Sequence, residues 1–453
     1  MTPEDMTSLN PLGLLVLFST GVLILVLPRR YALLPIIIIT CFMTLGQVVI
    51  VGGLHFTMMR ILVLFGWIRL ISRRELRPLR LNAIDKAVLA WTLVAILAHS
   101  LLWQSSDALV NRLGFGYNVV GMYFLFRFLV RDLDDIKRVF AMTAVVIVPL
   151  AAAMLFERIS DRNLFAIFGG VRPTTELRGG TLRCQGPFGH PILAGTFGAT
   201  LLPFFVALWW QGRKYKWLAL AGIVSSSIIV GTSGSSGPLM AYMTSCLGLT
   251  LWYFRRYMRL IRWGSLLGFI GLALVMKAPV WYLIQRVNIF SGSTGDHRAL
   301  LIDQFVHHFS EWWLLGVKST IGWADENMWD ITNQYIWEAV NGGLLTMILF
   351  IAIIVLCFRA VGITVRRLPS DSVGADRRIV WSLGVALFAH TASYMSISYF
   401  DQNVVNWYLL LAMISTAAAL RKKVPAVTPV KKEMVPITAV PQFVLPRSRN
   451  IFS

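Results

Sequence analysis

Charged residues are scarce in this sequence. Asp, Glu, Lys and Arg make up only 14% of the 453 residues, whereas 56% are hydrophobic and the mean hydropathy is +0.66. A soluble domain carries about 25% charged residues, so the composition excludes one. Apolar runs of about 18 residues or more recur along the chain, and each is long enough to cross a bilayer as a helix. The sequence therefore predicts an all-α, polytopic transmembrane helical bundle.

Cysteine is also rare, and its spacing excludes two kinds of site. The four cysteines, Cys41, Cys184, Cys246 and Cys357, are widely separated, and all except Cys184 lie inside apolar runs. This arrangement fits neither a disulfide framework nor a set of metal ligands. The N-terminal residues also lack the short cationic segment and small-residue cleavage site of a secretory signal. We therefore expect the first apolar run to be retained.

Acidic residues are outnumbered by basic ones, 22 to 42, which gives a formal net charge of +20. Such an excess on one soluble face would indicate nucleic-acid binding. Here the basic residues form short clusters between apolar runs, which is typical of anchoring at the cytoplasmic side of a membrane. The charge therefore predicts contact with a lipid bilayer and no nucleic-acid partner.

The basic clusters also predict a topology. If each faces the cytoplasm, about 12–13 spans fit, with the N-terminus outside and the C-terminus inside. The predicted spans are 12–27, 33–51, 54–71, 83–103, 115–130, 139–156, 191–210, 217–232, 239–254, 263–282, 334–358, 379–398 and 404–420. We expect one transmembrane domain, 1–420, and a disordered cytoplasmic tail, 421–453. Two long polar loops, 157–189 and 277–333, then both lie on the extracytoplasmic side.

The first of these loops is rich in arginine, which is unexpected outside the cytoplasm. Its arginines are Arg158, Arg162, Arg172, Arg178 and Arg183. Guanidinium groups bind phosphate and diphosphate through forked, charge-assisted hydrogen bonds, although pairing with acids of a solvated loop is an equal alternative. Arg183 immediately precedes the sequence GPFGHPILAG, a turn into the next span. His190 and the NH groups at this helix start suit an anion, unless the turn is an ordinary entry into the membrane.

The second loop combines cations, proton acceptors and tryptophans, and we regard it as the candidate active loop. The sequence GDHRALLIDQFVHHF predicts a short amphipathic helix from about Asp296, with Leu300, Leu301, Phe305 and Phe309 facing lipid and Arg298 and His307 facing elsewhere. His307 and His308 are adjacent and point in different directions, which argues against a shared metal. The histidines are candidate bases or simply interfacial polar residues.

Acidic residues near the end of this loop are further candidates for general-base catalysis. They are Asp325, Glu326 and Asp330, which precede the next span. One of them, or His307, is suited to accept a proton from a hydroxyl group. The neighbouring tryptophans fit either an interfacial belt or sugar stacking. Glu338 lies within the next span, where an ionisable residue is a functional hypothesis by default.

These features together resemble the O-antigen ligase and polymerase superfamily. The resemblance rests on an arginine before a Gly and Pro turn into a helix, and on a large late external loop. Within that loop, Arg298, then FSEWWLLGVKSTIGW, then TNQYIWEAVNGGLLTMILF look like the family's arginine, amphipathic helix, turn and start of the next helix. The likeness covers most of the chain in architecture and residues 183–345 in motif.

The resemblance implies a C-type glycosyltransferase fold acting on the outer side of a bacterial inner membrane. The donor would be a glycan on undecaprenyl diphosphate, the acceptor a glycan or lipid, and neither metal nor cofactor is needed. Arg183 and Arg298 would hold the donor diphosphate, and Asn333 would shape the site. Thr332 stands where the family's ligases usually have His, so His307, Glu326 and Asp330 become the candidate bases.

The residues leave several functions open. A ligase for lipopolysaccharide and a polymerase for exopolysaccharide both fit the motifs. A polysaccharide or lipid-linked sugar transporter or flippase is the main alternative, and it predicts ionisable residues and broken helices near the membrane midplane. A non-catalytic scaffold for envelope assembly is the third.

Overall fold

The computed structural model describes residues 10–52, 54–286, 295–324, 326–369, 374–400 and 402–420. Within these ranges the chain is mainly helical. The helices are α1 (Pro11–Val26), α2 (Leu34–Phe42), α3 (Met58–Ser72), α4 (Ala83–Trp103), α5 (Ser106–Leu129), α6 (Leu133–Ser160), α7 (Pro191–Trp209), α8 (Lys216–Thr232), α9 (Ser236–Thr250), α10 (Met258–Val275), α11 (Gly295–His307), α12 (Phe309–Trp312), α13 (Gln334–Arg367), α14 (Ala375–Ser393) and α15 (Gln402–Ala419). The predicted tail, 421–453, lies outside the described residues.

Six helices in the described ranges are long and apolar enough to cross a membrane. Four of them are α4, α6, α7 and α13. The other two are α8 and α10, each counted together with the short helical turn that precedes it. The chain is therefore a helical membrane protein, as its composition predicts. Other predicted spans form shorter helices, such as α1 with 16 residues, or carry charges within the helix, such as α5 with Arg112 and Arg127. The total of 12–13 spans stays a prediction.

Two of the predicted spans are interrupted by a β-hairpin. The run 33–51 is helical only as far as Phe42, and its last residues form β1 (Val48–Val51). Strand β1 pairs antiparallel with β2 (Leu54–Thr57), the start of the next predicted span. The β-branched sequence VVIV favours a strand, and Gly52 adopts φ +58° in the turn, where glycine carries no steric cost. Hydropathy alone does not separate such a strand from a helix.

A second hairpin lies inside the first arginine-rich loop. Strand β3 (Glu176–Arg178) pairs with β4 (Thr181–Arg183), and Glu176 stands opposite Arg183. Gly179 and Gly180 connect the strands with φ of +54° and +77°, as expected of a two-residue turn with positive φ at both positions. This turn sets the register that brings Arg183 back beside Glu176.

Helix α7 starts directly after this hairpin and forms the centre of the bundle. It packs against α6, α8, α9 and α14, and buried side chains cover most of its length. Phe204 on α7 stacks on Phe140 of α6 with 4.3 Å between ring centroids. The residues at the start of α7 are therefore attached to a rigid part of the protein.

Helix α13 is broken at one residue, and part of the second predicted loop, the late loop, packs against this break. Gly343 has φ +74° and ψ −178° within the helix. Around this break, the Leu344 NH donates to the Trp313 carbonyl at 2.8 Å, and the Val317 NH donates to the Val340 carbonyl at 2.9 Å. A Cβ on Gly343 would lie 2.3 Å from the Leu314 oxygen, so only glycine fits this approach.

Buried charges connect helices α4, α5 and α15 at the N-terminal end of α4. Asp85 belongs to the capping box of α4 and accepts hydrogen bonds from Arg127 of α5 at 3.0 Å, from Tyr123 at 2.5 Å and from Ser415 of α15 at 2.8 Å. The side chains of Arg127 and Asp85 are 2% and 0% exposed. The two opposite charges therefore neutralise each other in a place that solvent hardly reaches.

Candidate functional site

Arg183 ends strand β4 and lies buried at the start of the bundle. Its Nη1 forms an ion pair with Glu176 Oε1 at 3.0 Å, and its Nε and Nη2 donate to Ser235 Oγ at 3.2 and 2.9 Å. Ser235 is the N-cap residue of α9. Ser235 lies in the short neutral sequence SGSSG between two predicted spans, and nothing in that sequence predicts its contact with the arginine.

Arg298 lies in α11, within the second predicted loop, and is also buried, with 8% of its surface exposed. Burial, followed by the positive charges of Arg178 and Arg183, lowers the pKa of Arg298 to about 10. The guanidinium is still charged at pH 7. The charges of Arg178 and Arg183, in the first predicted loop, act on Arg298 in the second. Because salt screens charges that are far apart, the two loops lie near each other at these three arginines.

The site carries more positive than negative charge. Among the described residues, the acids whose charges act on these arginines include Glu176, which also pairs with Arg172 at 3.4 Å, and Asp330, which acts on Arg298. The Nε of Arg298 is buried and has no hydrogen-bond partner among the described residues. A buried NH donor without an acceptor costs roughly 1–3 kcal/mol. An anion at this point would supply the missing acceptor.

His190 forms the N-cap of α7 and lies beside the arginines. Its Nδ1 accepts the Ile192 NH at 3.1 Å, which assigns the proton of the neutral ring to Nε2. Burial, followed by the charge of Arg183, lowers the pKa of His190 to about 4. At pH 7 the side chain therefore offers an NH donor and no positive charge.

This low pKa predicts an acid-sensitive element of stability. The folded pKa lies below the unfolded value of 6.5, so the unfolded chain binds more protons, and the contribution is complete above pH 6.5 and declines toward pH 4. Asn retains the helix cap without titrating. Between pH 7 and pH 5 we expect the wild type to lose about 1–2 kcal/mol more stability than His190→Asn. Unfolding in detergent at both pH values measures this, and equal losses would contradict it.

The three candidate bases differ in their relation to the arginines. His307 is exposed at the end of α11, where its Nδ1 lies 2.8 Å from the Asp303 carbonyl one turn earlier. Asp330 is exposed, and its carbonyl lies 3.1 Å from His297 Nε2. The Glu326 side chain, like the whole of Asp325, lies outside the described residues. Of the two side chains that are described, Asp330 is the one that acts on Arg298.

The apolar residues of the late loop pack on one another. Leu301 is fully buried with Trp312, Trp323 and Ile336 in a small separate core, and Phe305 stacks on Trp312 with 4.1 Å between centroids. The prediction that this apolar face points to lipid is therefore wrong for Leu301, whereas Phe305 is only half-buried. Trp312 and Trp323 belong to the same core. Their rings are therefore not free to form an interfacial belt or to stack on a sugar.

Asn333 has a structural role at the start of α13. Its Oδ1 accepts the NH groups of Tyr335 and Ile336 at 2.9 and 3.3 Å, which caps the helix. Beside it, Thr332 has a buried hydroxyl with no hydrogen-bond partner in the described part of the chain. The cap fixes the segment that connects Asp330 to the helix.

A cavity of about 490 Å³ lies next to this segment, between α2, α3, α5, α13 and α15. Glu338 lies in its wall and accepts hydrogen bonds from Trp91 Nε1 at 3.0 Å and Gln334 Nε2 at 2.7 Å. Arg112 and Gln402 also line the cavity, and each has a buried polar atom, Nε and Oε1, without a partner among the residues described.

The cavity adjoins the arginine site through two chain segments. Gln402 Nε2 donates to the carbonyl of Pro187 at 3.0 Å, in the turn that follows Arg183. Gln334 begins α13 directly after Thr332 and Asn333. The sequence predicted a role only for Glu338. Arg112 lies outside the predicted span 115–130 but inside helix α5, so no sequence pattern marked it as a second polar position inside the bundle.

The fold and site together define a helical membrane protein with a buried cationic site and an adjoining cavity. Compared with protein-family models and with curated protein sequences, the chain matches none. The residues around Arg183, Arg298 and Glu338 therefore carry the functional proposal.

Proposed function

We propose that the protein is a membrane glycosyltransferase that transfers or polymerises glycans linked to undecaprenyl diphosphate. The observation that carries the proposal is that Arg183 and Arg298, from two distant loops, lie near enough for their charges to interact, while a buried NH of Arg298 has no acceptor among the described residues. Arginine suits the forked geometry of a diphosphate. A lipid-linked donor explains why such a site belongs to a membrane protein.

The chemistry follows from the charges. An acceptor hydroxyl attacks the anomeric carbon of the donor sugar, and the bond from that carbon to the diphosphate oxygen breaks. Arg183 and Arg298 stabilise the negative charge that develops on the departing diphosphate. The hydroxyl proton passes to a base, for which Asp330 is best situated among the described candidates. His190 offers Nε2–H as a neutral donor to the same anion.

The adjoining cavity offers room for a sugar. Its wall combines the aromatic rings of Trp91 and Trp337 with the carboxylate of Glu338 and the amide of Gln402. Binding sites of this kind are mostly apolar, with a few polar groups that fix the orientation of the ligand. A glycan chain lying here would have its reactive end beside the arginines while the polyprenyl tail stays in the bilayer.

Reconstitution of the purified protein with a lipid-linked oligosaccharide tests the proposal. A ladder of lengths on the polyprenyl carrier, resolved by gel mobility, would identify a polymerase, and a single transfer to a separate lipid would identify a ligase. Absence of any new glycosidic bond with both types of acceptor would contradict the proposal. The location that it implies is the bacterial inner membrane, with both loops outside the cytoplasm.

Transport of a lipid-linked sugar is the second candidate, and two observations favour it. Glu338 lies buried at the wall of a cavity inside the bundle, and α13 is broken at Gly343. Ionisable groups and discontinuous helices are typical of transporter sites. Proteoliposomes that move a fluorescent lipid-linked sugar across the bilayer, without forming a glycosidic bond, would support transport instead of transfer.

A further inference from the structure

A second cationic site lies at the far end of α6 from the arginine site. At the end of α6, Glu157 accepts the NH groups of Gln185 and Gly186, next to Arg183. At its start, Lys137 and Arg138 line a groove of about 450 Å³ together with Lys214. A helix rises 1.5 Å per residue, so the two sites are separated by roughly 30 Å along α6. We name this second site the basic groove.

Two of the cations at the rim of the basic groove contact tyrosine rings. Arg138 lies over the ring of Tyr31 at 5.9 Å, and Lys214 lies over the ring of Tyr215 at 5.1 Å. Lys137 and Arg138 pair with Asp134 and Asp135 at 2.6 and 2.8 Å. Lys214 has no ion pair within the described ranges. Tyrosine is enriched where a membrane meets water.

Below the rim the same groove becomes apolar. Met142 and Val145 follow Lys137 and Arg138 along α6. Leu218, in α8, comes after Lys214 in the chain. Val145 is 58% exposed, although it lies within a helix apolar enough to cross a membrane. Lys137 and Val145 are about 12 Å apart along the helix. The groove therefore presents cations at one end and an open apolar wall at the other.

We propose that the basic groove binds an anionic glycerophospholipid. The lipid phosphate would contact Lys137, Arg138 and Lys214, while an acyl chain would lie along Val145 and Leu218. Asp134 also lines the groove, but its side chain is 75% exposed at the rim, and an exposed ion pair contributes only about 0–1 kcal/mol. A phosphate can therefore compete for Lys137. A soluble phosphate would gain nothing from the apolar wall, so the geometry favours the lipid.

Native mass spectrometry of the full chain tests this proposal. The protein is equilibrated with equal amounts of phosphatidylglycerol and phosphatidylcholine that carry the same acyl chains, and the retained lipids are counted. We expect the wild type to prefer phosphatidylglycerol. The combined substitutions Lys137→Gln, Arg138→Gln and Lys214→Gln should lower that preference by about tenfold or more, since each cation near an anionic lipid contributes about 1 kcal/mol.

A matched control removes the same number of charges elsewhere. Arg256, Arg259 and Arg262 are exposed, and none of them lines the groove, so their replacement by Gln should leave the preference unchanged. Lys214→Gln alone breaks no ion pair described here and should lower the preference about fivefold. An unchanged ratio in both groove variants would overturn the proposal. So would loss of phosphatidylglycerol on addition of millimolar inorganic phosphate, which would indicate a site for a soluble anion.

Discussion

Replacing Arg298 by Ala is expected to lower the rate of glycan transfer by roughly 100-fold or more, because a preorganised charge at a leaving group contributes on that scale. Arg298 is buried, and its Nε has no partner among the described residues, so the substitution breaks no ion pair in the part of the chain that the structure describes. The same loss is expected for Arg183→Ala, although that substitution also leaves Glu176 without its buried partner. The rate of product formation in the reconstituted system measures both.

The control for this prediction comes from the same loop. Arg162 is exposed and lies outside the site, so Arg162→Ala should keep the wild-type rate. All three variants should reach the membrane and unfold cooperatively in detergent, which separates a lost reaction from a lost fold. Normal product from both Arg183→Ala and Arg298→Ala would exclude the proposed transfer mechanism.

Replacing Asp85 by Ala is expected to destabilise the protein by about 3–5 kcal/mol, because it leaves a buried charge without its partner. The Arg127 guanidinium would be left in a site where its side chain is 2% exposed. Tyr123 and Ser415 would also lose their hydrogen-bond acceptor. The midpoint of unfolding in detergent measures the loss.

A double variant distinguishes the buried charge from simple loss of packing. Asp85→Ala combined with Arg127→Met removes both charges, and replacement of a buried pair by apolar residues is often neutral. We expect it to regain most of the stability that Asp85→Ala loses. If the double variant were the less stable of the two, the interpretation of Asp85 as a charge partner would be wrong.

The helical framework was largely predictable because it depends on local composition. The span predicted for 83–103 is observed as α4 (Ala83–Trp103), and that predicted for 191–210 is observed as α7 (Pro191–Trp209). A bilayer requires about 20 apolar residues in succession, and this requirement can be read from a short window of sequence. The prediction failed at β1 and β2, because the apolar residues of β1 are β-branched and Gly52 turns the chain after them.

The site was predictable only in part. Arg183, His190 and Arg298 were chosen for their chemistry and position in loops, and the charge of Arg183 acts on both of the other two. By contrast, Asn333 caps a helix, and Trp312 and Trp323 fill a core, because their surroundings come from residues that no short motif contains. Ser235 and Gln402 were missed, since a serine in a linker and a glutamine at a helix start carry no local signal of the side chains that they contact.

The sequence by itself determined that this is a helical membrane protein with cationic loops, because hydrocarbon thickness and charge act on contiguous residues. Only the tertiary structure decided which cations face one another. The two-glycine turn of the β3–β4 hairpin positions Arg183, and the late loop that carries Arg298 is held by backbone hydrogen bonds around Gly343 of α13. The contacts of the late loop with α13, and of Arg183 with Ser235, join residues far apart in the chain, so their geometry is set by packing that no single stretch of sequence contains.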